Sequence, residues 1–209
     1  MRPAGEFCWM DIKTPDLDAT ERELDSALGW ECVVDPDDHR DPATVRKARF
    51  EGHWMAGLCS LRSGAYPPGT EPHVSYYVAV DDAARVHDAA VTAGGTSVAP
   101  PSPIAGLGVL ATVVDPFGAA VSLWQPGTFA GWTHPVTPGT PRRLVHTSTT
   151  PTSAGRFYRD GLGLALSDAV FRTRTGEPPG WTALIQIADR PATTLAPVRL
   201  PSGHVFLFA

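Results

Sequence analysis

Asp11 and Lys13 are the first residues of this sequence whose types and spacing could perform chemistry. They lie two positions apart in the segment FCWMDIKT, whose alternating pattern predicts a strand over residues 7–14 and therefore places both side chains on one face. A carboxylate and an ammonium so close together can shift each other's pKa and exchange protons with a bound molecule. We expect Asp11 and Lys13 to be catalytic acid–base groups, together with His73; the alternative is a pair of charges at a solvated strand edge.

Aromatic and hydroxyl side chains recur in similar alternating segments. Apolar surfaces with a few polar groups are the usual design of small-molecule sites, and indole rings favour planar aromatic ligands. For any single ring, the alternative is ordinary core packing. The residues expected to bind a ligand are Trp9, Trp54, Ser75, Tyr77, Ser122 and Trp124.

One order of elements occurs twice before residue 127. In the first copy, the strand over 7–14 precedes a helix that Asp16 caps and Gly29 ends, and three short strands follow. The second copy opens with the strand HVSYYVAV and continues with the helix AARVHDAAVTA, which Asp81 or Asp82 caps and on which we expect His87 to be exposed. Three more strands follow, and the last two are joined by a turn at Pro116-Phe117-Gly118. Each copy therefore reads β-α-β-β-β, and a repeat of this length indicates paired units whose sheets complete one another.

The chain is predicted to have three parts. These are a first domain over residues 1–126, a Pro/Gly-rich linker over 127–141 and a shortened second half over 142–209. The linker composition favours an extended connector over a packed element. The second half opens a further copy of the repeat, with RRLVHTS as strand and TSAGRFYRDGLG as helix, after which only strands are visible.

Three segments carry a resemblance to a known family: CWMDIKTPDLDA, PHVSYYVAVDDAA and, most specifically, VVDPFGAAVSLWQPG. They resemble the glyoxalase, bleomycin-resistance and extradiol dioxygenase proteins of the vicinal oxygen chelate superfamily. The resemblance implies an α+β glyoxalase-like fold, in which paired βαβββ modules form a curved, cup-shaped mixed sheet around a small-molecule site. LVHTS and GRFYRDGLGL resemble the opening of another such module.

The metal-dependent members of that superfamily take their ligands from the opening and closing strands of the modules. At the positions that the resemblance assigns to these ligands, this chain has Trp9, Ser75 and Ser122. An indole N–H is a donor only and does not bind a metal. We therefore expect neither a metal nor another cofactor in the first half.

One histidine of the second half keeps the metal hypothesis open. His146 resembles the family's ligand histidine, but Leu207 stands where the closing strand would carry a glutamate. A single histidine is weak support because these cations need several converging ligands. A metal site would require His146 or His73 to find carboxylates such as Glu51 or Glu71.

Composition excludes several classes of partner. A formal net charge of −5 and a pI near 5.7 argue against a nucleic acid, which needs a basic surface. No apolar stretch has the length of a membrane span or a signal peptide, so we expect no membrane partner and a cytoplasmic location. The shortened second half would expose a sheet edge, which predicts a homodimer or a second half that folds over the first.

Together these features predict a protein that binds a small, largely apolar or aromatic metabolite in its cup. It is expected to act without a metal and to catalyse isomerisation, cyclisation or proton transfer in specialised metabolism. The Gly/Pro-rich loops over 63–72 and 99–108 are expected to rim the site and select the ligand. The alternatives are a non-catalytic sequestering protein, as in antibiotic resistance, and a metal-dependent lyase, epimerase or dioxygenase.

Overall fold

The computed structural model describes residues 3–104, 106–133, 135, 137–173, 176, 178–186 and 196–208. The helices are α1 (Leu17–Leu28), α2 (Ala83–Thr92) and α3 (Pro151–Arg156), and a π-helical turn over Phe157–Gly161 continues α3. The strands are β1 (Phe7–Thr14), β2 (Glu31–Val33), β3 (Val45–Phe50), β4 (His53–Ser60), β5 (His73–Ala79), β6 (Thr96–Ile104), β7 (Gly108–Val114), β8 (Ala120–Pro126), β9 (Pro141–Ser148), β10 (Ala169–Thr173), β11 (Gly180–Ile185), β12 (Ala196–Arg199) and β13 (Val205–Phe208). Up to β8 this is the predicted β-α-β-β-β order, present twice.

The chain folds into two compact units, each built from several segments. Unit 1 comprises Met1–Trp9, Tyr76–Thr133 and Arg143–Ala183. Unit 2 comprises Met10–Ser75, His134–Arg142 and Leu184–Ala209. Each unit thus draws on both sides of the linker, and the division into domains at residues 127–141 stays a prediction.

Helix α1 begins and ends where the sequence predicts. The Asp16 carboxylate accepts a hydrogen bond from the Ala19 amide at 3.0 Å, which satisfies one of the amides that a helix leaves unpaired at its start. Gly29 adopts a left-handed φ of 68°, and its amide donates to the Asp25 carbonyl at 2.8 Å. Glycine takes this conformation without strain, so the helix ends there.

Helix α2 is capped by Asp82, whose carboxylate accepts from the Arg85 amide at 2.9 Å. The expectation that His87 is exposed on this helix is wrong, because the residue is only 8% exposed. The helix packs on β6 and β7, and the His87 ring turns toward the sheet. Its Nε2 lies 2.8 Å from the hydroxyl of Ser97, which gives the buried ring a polar partner.

In unit 2, four strands form a ladder in the order β2-β3-β4-β1. The first two pairs are antiparallel and β4 runs parallel to β1. The registers place Lys47 opposite Gly57 and Gly57 opposite Asp11, and two residues further along β4, Cys59 lies opposite Lys13. Since residues directly opposite each other share a face of the sheet, these five positions face the same way.

In unit 1, the second copy of the repeat forms a ladder in the order β5-β8-β7-β6. Its registers align Tyr77 with Ser122 and Ser122 with Thr112. The predicted turn between β7 and β8 is present: Gly118 has a φ of 94°, and its amide donates to the Asp115 carbonyl at 3.1 Å. This turn places the Asp115 side chain at the end of the ladder.

The linker packs closely along the chain. In unit 1, the Trp132 amide donates to the Cys8 carbonyl at 2.6 Å, and Gly131 lies so close to the same carbonyl that a Cβ atom at position 131 would overlap it. In unit 2, the indole N–H of Trp30 donates to the Gly139 carbonyl at 2.8 Å. The linker is therefore a packed segment that contributes to both units.

The second half supplies β9 and β10 to unit 1, where they pair in parallel, and β12 and β13 to unit 2, where they pair antiparallel. Strand β12 was not predicted, because its sequence APVR has no clear alternation and contains a proline. No helix in the described part of the chain is long and apolar enough to cross a membrane.

Candidate functional site

The polar face of unit 2 is the place where the sheet brings chemically active side chains together. We define it as Asp11 and Lys13 on β1, Gly57 and Cys59 on β4, and Lys47 on β3, which share one side of the ladder by register. Gly57 stands between Lys47 and Asp11 and contributes no side chain beyond its hydrogen atoms. Gly57 is itself buried.

Asp11 and Lys13 form an ion pair, in which Nζ of Lys13 donates to Oδ2 of Asp11 at 2.8 Å. The two residues are 8% and 7% exposed, so the alternative of a solvated strand edge is wrong. Taking each charge out of water costs on the order of several kcal/mol, which the attraction within the pair mainly offsets. The pair therefore contributes little net stability to the strand.

A phenol and a thiol surround the same ammonium. Nζ of Lys13 lies 5.3 Å from the ring centroid of Tyr66, and Cys59 lies opposite Lys13 in the register of β4 and β1. Burial raises the pKa of Tyr66 and that of Cys59 above their ordinary values. Both groups therefore keep their protons at neutral pH and can donate them to a bound oxygen atom.

Lys47 is the second cation of the polar face. Its ammonium forms an ion pair with the carboxylate of Asp35 and lies 5.4 Å from the ring centroid of Trp54. An aromatic face and a carboxylate both stabilise a charged ammonium. Trp54, predicted to bind a ligand, is half-buried and thus borders this face.

His204 fixes the backbone under the pair. It is 2% exposed, and burial lowers its pKa below the ordinary value, so the ring is neutral near pH 7. Its Nε2 lies 3.0 Å from the Lys13 carbonyl oxygen, which can only accept, so Nε2 carries the proton. Nδ1 then accepts from the hydroxyl of Ser202 at 2.8 Å. The His204 ring, oriented by these two hydrogen bonds, fixes the backbone carbonyl of Lys13.

The predicted aromatic residues of unit 1 pack on one another. The rings of Tyr77 and Trp124 have centroids 6.2 Å apart in an edge-to-face arrangement. Phe129, from the linker, lies 4.9 Å from Trp9 and 6.2 Å from Trp124, and its carbonyl accepts from the Trp124 indole N–H at 3.0 Å. Phe129 thus lies against Trp9 and Trp124, so ligand contact by Trp9, Tyr77 and Trp124 stays a prediction and would require Phe129 to move.

The remaining predicted residues have more ordinary surroundings. His73 is exposed at the start of β5, and its Nδ1 lies 2.8 Å from the Glu71 carbonyl. Ser75 is half-buried on the same strand. Ser122 is buried, and its hydroxyl lies 3.0 Å from that of Thr112. The catalytic or ligand-binding roles expected of these three residues stay predictions.

A buried polar network in unit 1 joins Asp115 to His146, Tyr158 and Trp181. Oδ2 of Asp115 accepts from Nε2 of His146 at 2.8 Å and from the Tyr158 hydroxyl at 2.8 Å. The Trp181 indole N–H donates to the Tyr158 oxygen at 3.1 Å. Oδ1 of Asp115 accepts from the amides of its own turn, those of Phe117 and Ala119, each at 2.9 Å. This arrangement holds the turn against β9 and is structural in character.

The described residues around His146 do not fit a metal ion. His146, the candidate from the second half, uses Nε2 for Asp115 and is enclosed by the rings of Phe171 and Trp181, with centroids 5.3 and 4.8 Å away. In the described ranges, no three His, Cys, Asp or Glu side chains are arranged to hold a metal. A hydrogen-bonded histidine in an aromatic cage lacks the second and third ligands that Zn²⁺ or a similar ion needs.

Three residues next to the predicted ones were missed by the sequence reasoning. Tyr66 lies in the loop over 63–72 that was expected to rim the site, and its aromatic ring was the available signal. Lys47 and Phe129 had weaker signals, because the register of β3 and the path of the linker are set by distant parts of the chain. Lysine count was a usable clue: the chain has only two, Lys13 and Lys47.

Comparison with known proteins identifies relatives that match this chain over part of their own length. No protein-family model matches the chain. A Mycobacterium bovis protein named as a glyoxylase, CFP32, is 32% identical over 162 residues, which are 76% of this chain and 60% of CFP32. The anthracycline biosynthesis protein DnrV of Streptomyces peucetius is 28% identical over 197 residues, covering 90% of this chain and 69% of DnrV. The chain thus spans about three fifths of the length of the mycobacterial relative.

The fold is also similar to solved structures. The Mn(II)-bound glyoxalase from Novosphingobium aromaticivorans superposes with a TM-score of 0.63 over all of this chain and 82% of its own, at 15% sequence identity. At that identity the similarity describes the arrangement of the backbone and not the chemistry.

Proposed function

Because this chain belongs to the vicinal oxygen chelate superfamily and has its glyoxalase-like fold, we propose that it binds a small aromatic metabolite with carbonyl or phenolic oxygen atoms. The polar face of unit 2 receives those oxygen atoms. Asp11 and Lys13 then move protons to and from the bound molecule, which amounts to isomerisation, cyclisation or another proton transfer.

The buried Asp11–Lys13 pair carries this proposal. A buried ion pair adds little net stability compared with apolar residues of similar volume, so a structural role alone is a poor account of it. Its distance of 2.8 Å allows direct proton exchange. Tyr66 and Lys47 add two further donors to the same face, which suits a ligand with more than one oxygen atom.

Aromatic rings border the polar face and support the choice of ligand. Trp54 and Tyr66 are half-buried, each beside one of the two lysines. An apolar wall with a few fixed polar groups suits an aromatic body with oxygen substituents. Because the Tyr66 ring covers Lys13, entry of the ligand requires its loop to move.

The relatives support the setting in which such a ligand occurs. DnrV is named as an anthracycline biosynthesis protein, a name consistent with specialised metabolism, and we extend that setting to this chain as part of the proposal. The chemistry proposed here uses no metal, since the donor set described above does not fit one. The homodimer and the cytoplasmic location stay predictions from the sequence.

The proposal is tested in two steps on the full chain. Isothermal titration with the dihydroxyanthraquinone alizarin measures binding, with Glu31→Gln as a control because Glu31 is an exposed partner of Arg49 in the same unit. We expect saturable binding that Glu31→Gln leaves unchanged and that Asp11→Asn weakens by roughly tenfold, the loss of about 1.4 kcal/mol.

The second step measures proton transfer. The bicyclic ketone α-tetralone is incubated in D₂O, and deuterium at the carbon next to its carbonyl is followed by NMR. Exchange faster with the protein than with Asp11→Asn supports an enzyme. Binding without exchange would instead identify a sequestering protein, and failure of both ligands to bind would refute the proposal.

A further inference from the structure

The two lysines of this chain share one face of one sheet. Seventeen residues are Lys or Arg, and only Lys13 and Lys47 are lysines. Both lie on the polar face of unit 2. Gly57 lies between Lys47 and Asp11 in the register of the three strands, and Cys59 lies opposite Lys13. Arginine serves every other basic position. Unlike a guanidinium, a lysine amine can lose its proton and act as a nucleophile.

Lys13 has the neighbours that amine chemistry requires. Asp11 accepts a hydrogen bond from its Nζ at 2.8 Å and can take its proton. Tyr66, whose ring centroid lies 5.3 Å from Nζ, and Cys59, which lies opposite Lys13 in the strand register, carry protons that an oxygen atom bound beside Nζ can accept. Little solvent reaches the pair, because the side chains of Lys13 and Asp11 are only 8% and 11% exposed.

We infer that Lys13 is a nucleophile that captures an aldehyde or ketone with an aromatic body as an iminium ion (a protonated Schiff base). This inference rests on the proposed function, because the same face must bind the ligand. It narrows the ligand class from molecules with oxygen substituents to carbonyl compounds, and it assigns Lys13 a covalent role.

The steps balance in atoms and charge. The ammonium of Lys13 passes a proton to Asp11, and the free amine attacks the carbonyl carbon, so a C–N bond forms while the carbonyl π electrons move to oxygen. That oxygen takes a proton from Tyr66, and Tyr66 is reprotonated by the new ammonium of the adduct. The C–O bond then breaks with a proton from Asp11, and water leaves. The sum is ammonium plus carbonyl giving iminium plus water, with no other reactant.

The buried setting favours the first of these steps. When an apolar ligand excludes the remaining water, an ion pair loses solvation that a neutral amine and a neutral acid do not need. The ionised Asp11 left after dehydration stabilises the iminium. It can also remove a proton from the carbon next to it, which produces the enamine needed for isomerisation.

Lys47 is the second lysine with which the reactivity of Lys13 can be compared. It lies on the same face and, like Lys13, has a carboxylate and an aromatic ring as neighbours, those of Asp35 and Trp54. The ring beside Lys13 is the phenol of Tyr66, whose hydroxyl can exchange a proton with the reacting oxygen atom, whereas the indole of Trp54 has no hydroxyl. We therefore expect the iminium ion on Lys13 and not on Lys47.

The experiment traps the iminium by reduction. The full chain is incubated with benzaldehyde and sodium cyanoborohydride, intact mass is measured, and the benzylated residue is located by peptide mapping. We expect one benzyl group on Lys13. Lys13→Arg, which keeps the positive charge beside Asp11, should abolish it, and Glu31→Gln, an exposed position outside the polar face, should leave it unchanged; far-UV circular dichroism checks that both variants fold.

Each other outcome has a defined meaning. Labelling of Lys47 or of the N-terminal amine without Lys13 overturns the inference. Saturable binding of alizarin with no label on Lys13 overturns it too, but leaves the proposed function standing. Loss of both binding and labelling overturns the proposed function together with this inference.

Discussion

The buried network around Tyr158 yields a stability prediction that also tests the structural role of His146. The Tyr158 hydroxyl donates to Asp115 at 2.8 Å and accepts from the Trp181 indole at 3.1 Å. Tyr158→Phe keeps the ring, so no cavity forms. It removes a hydrogen bond to a charged group, worth about 1.5–3 kcal/mol, and leaves a buried N–H unpaired at a cost of about 1–3 kcal/mol. The free energy of unfolding should therefore fall by about 2.5–6 kcal/mol.

Urea unfolding followed by far-UV circular dichroism measures this loss. Tyr76→Phe is the matched control in the same unit, because the Tyr76 hydroxyl accepts from the Ala183 amide at 3.0 Å and has no charged partner there. We expect a smaller loss for Tyr76→Phe, about 1–3 kcal/mol. Burial and the Asp115 charge raise the pKa of Tyr158 well above its ordinary value, so its phenol stays protonated and the comparison holds at neutral pH.

A Tyr158→Phe variant as stable as the wild-type chain, at an unchanged dependence on urea, would refute the reasoning. It would mean that the carboxylate of Asp115 has other partners strong enough to replace the phenol. A loss equal to that of Tyr76→Phe would show that the charge of Asp115 contributes nothing to the bond. Either result would contradict the structural role assigned to the hydrogen-bond network of Asp115, His146 and Tyr158.

Two further predictions concern His204 and the linker. Burial lowers the pKa of His204 from 6.5, so the unfolded chain binds its proton more readily; this residue's stabilisation is complete above pH 6.5 and is lost as pH falls toward the folded pKa. In His204→Gln, the free energy of unfolding measured with urea should therefore decline less steeply below pH 6.5 than in the wild-type chain. An equally steep decline in the variant would mean that other groups cause it. Gly131→Ala should lower the free energy of unfolding, measured by thermal denaturation, by about 2 kcal/mol or more, because the alanine Cβ would overlap the Cys8 carbonyl. Gly163→Ala, with a similar φ of 71° and open space around it, should cost less, and equal losses would contradict the overlap.

Much of the fold could be predicted from short stretches of sequence. The helix caps Asp16 and Asp82 and the turn that begins at Asp115 lie where the sequence indicated. Strand β12 and the burial of His87 were not predicted, because each depends on a partner element that is distant in the chain. Local signals describe a segment, whereas burial is decided by what packs on it.

The candidate site was predicted only in part, and for a similar reason. The alternation of β1 placed Asp11 and Lys13 on one face, and the ion pair between them confirms that neighbourhood. The alternation could not indicate that Tyr66 lies over Lys13 or that Phe129 covers Trp9. A loop or linker residue reaches its partner through the whole path of the chain, which no local pattern encodes.

By itself, the sequence determined the two β-α-β-β-β repeats, the helix ends and the family, because these depend on contacts between residues a few positions apart and on recurrent motifs. Only the tertiary structure decided which side chains meet. The register of three strands brings Lys47 and Gly57 beside Asp11, and the turn at Asp115 meets His146 from a strand 31 positions away. Such pairings follow from strand register and packing across the chain, and their energies depend on the burial that the assembled sheet creates.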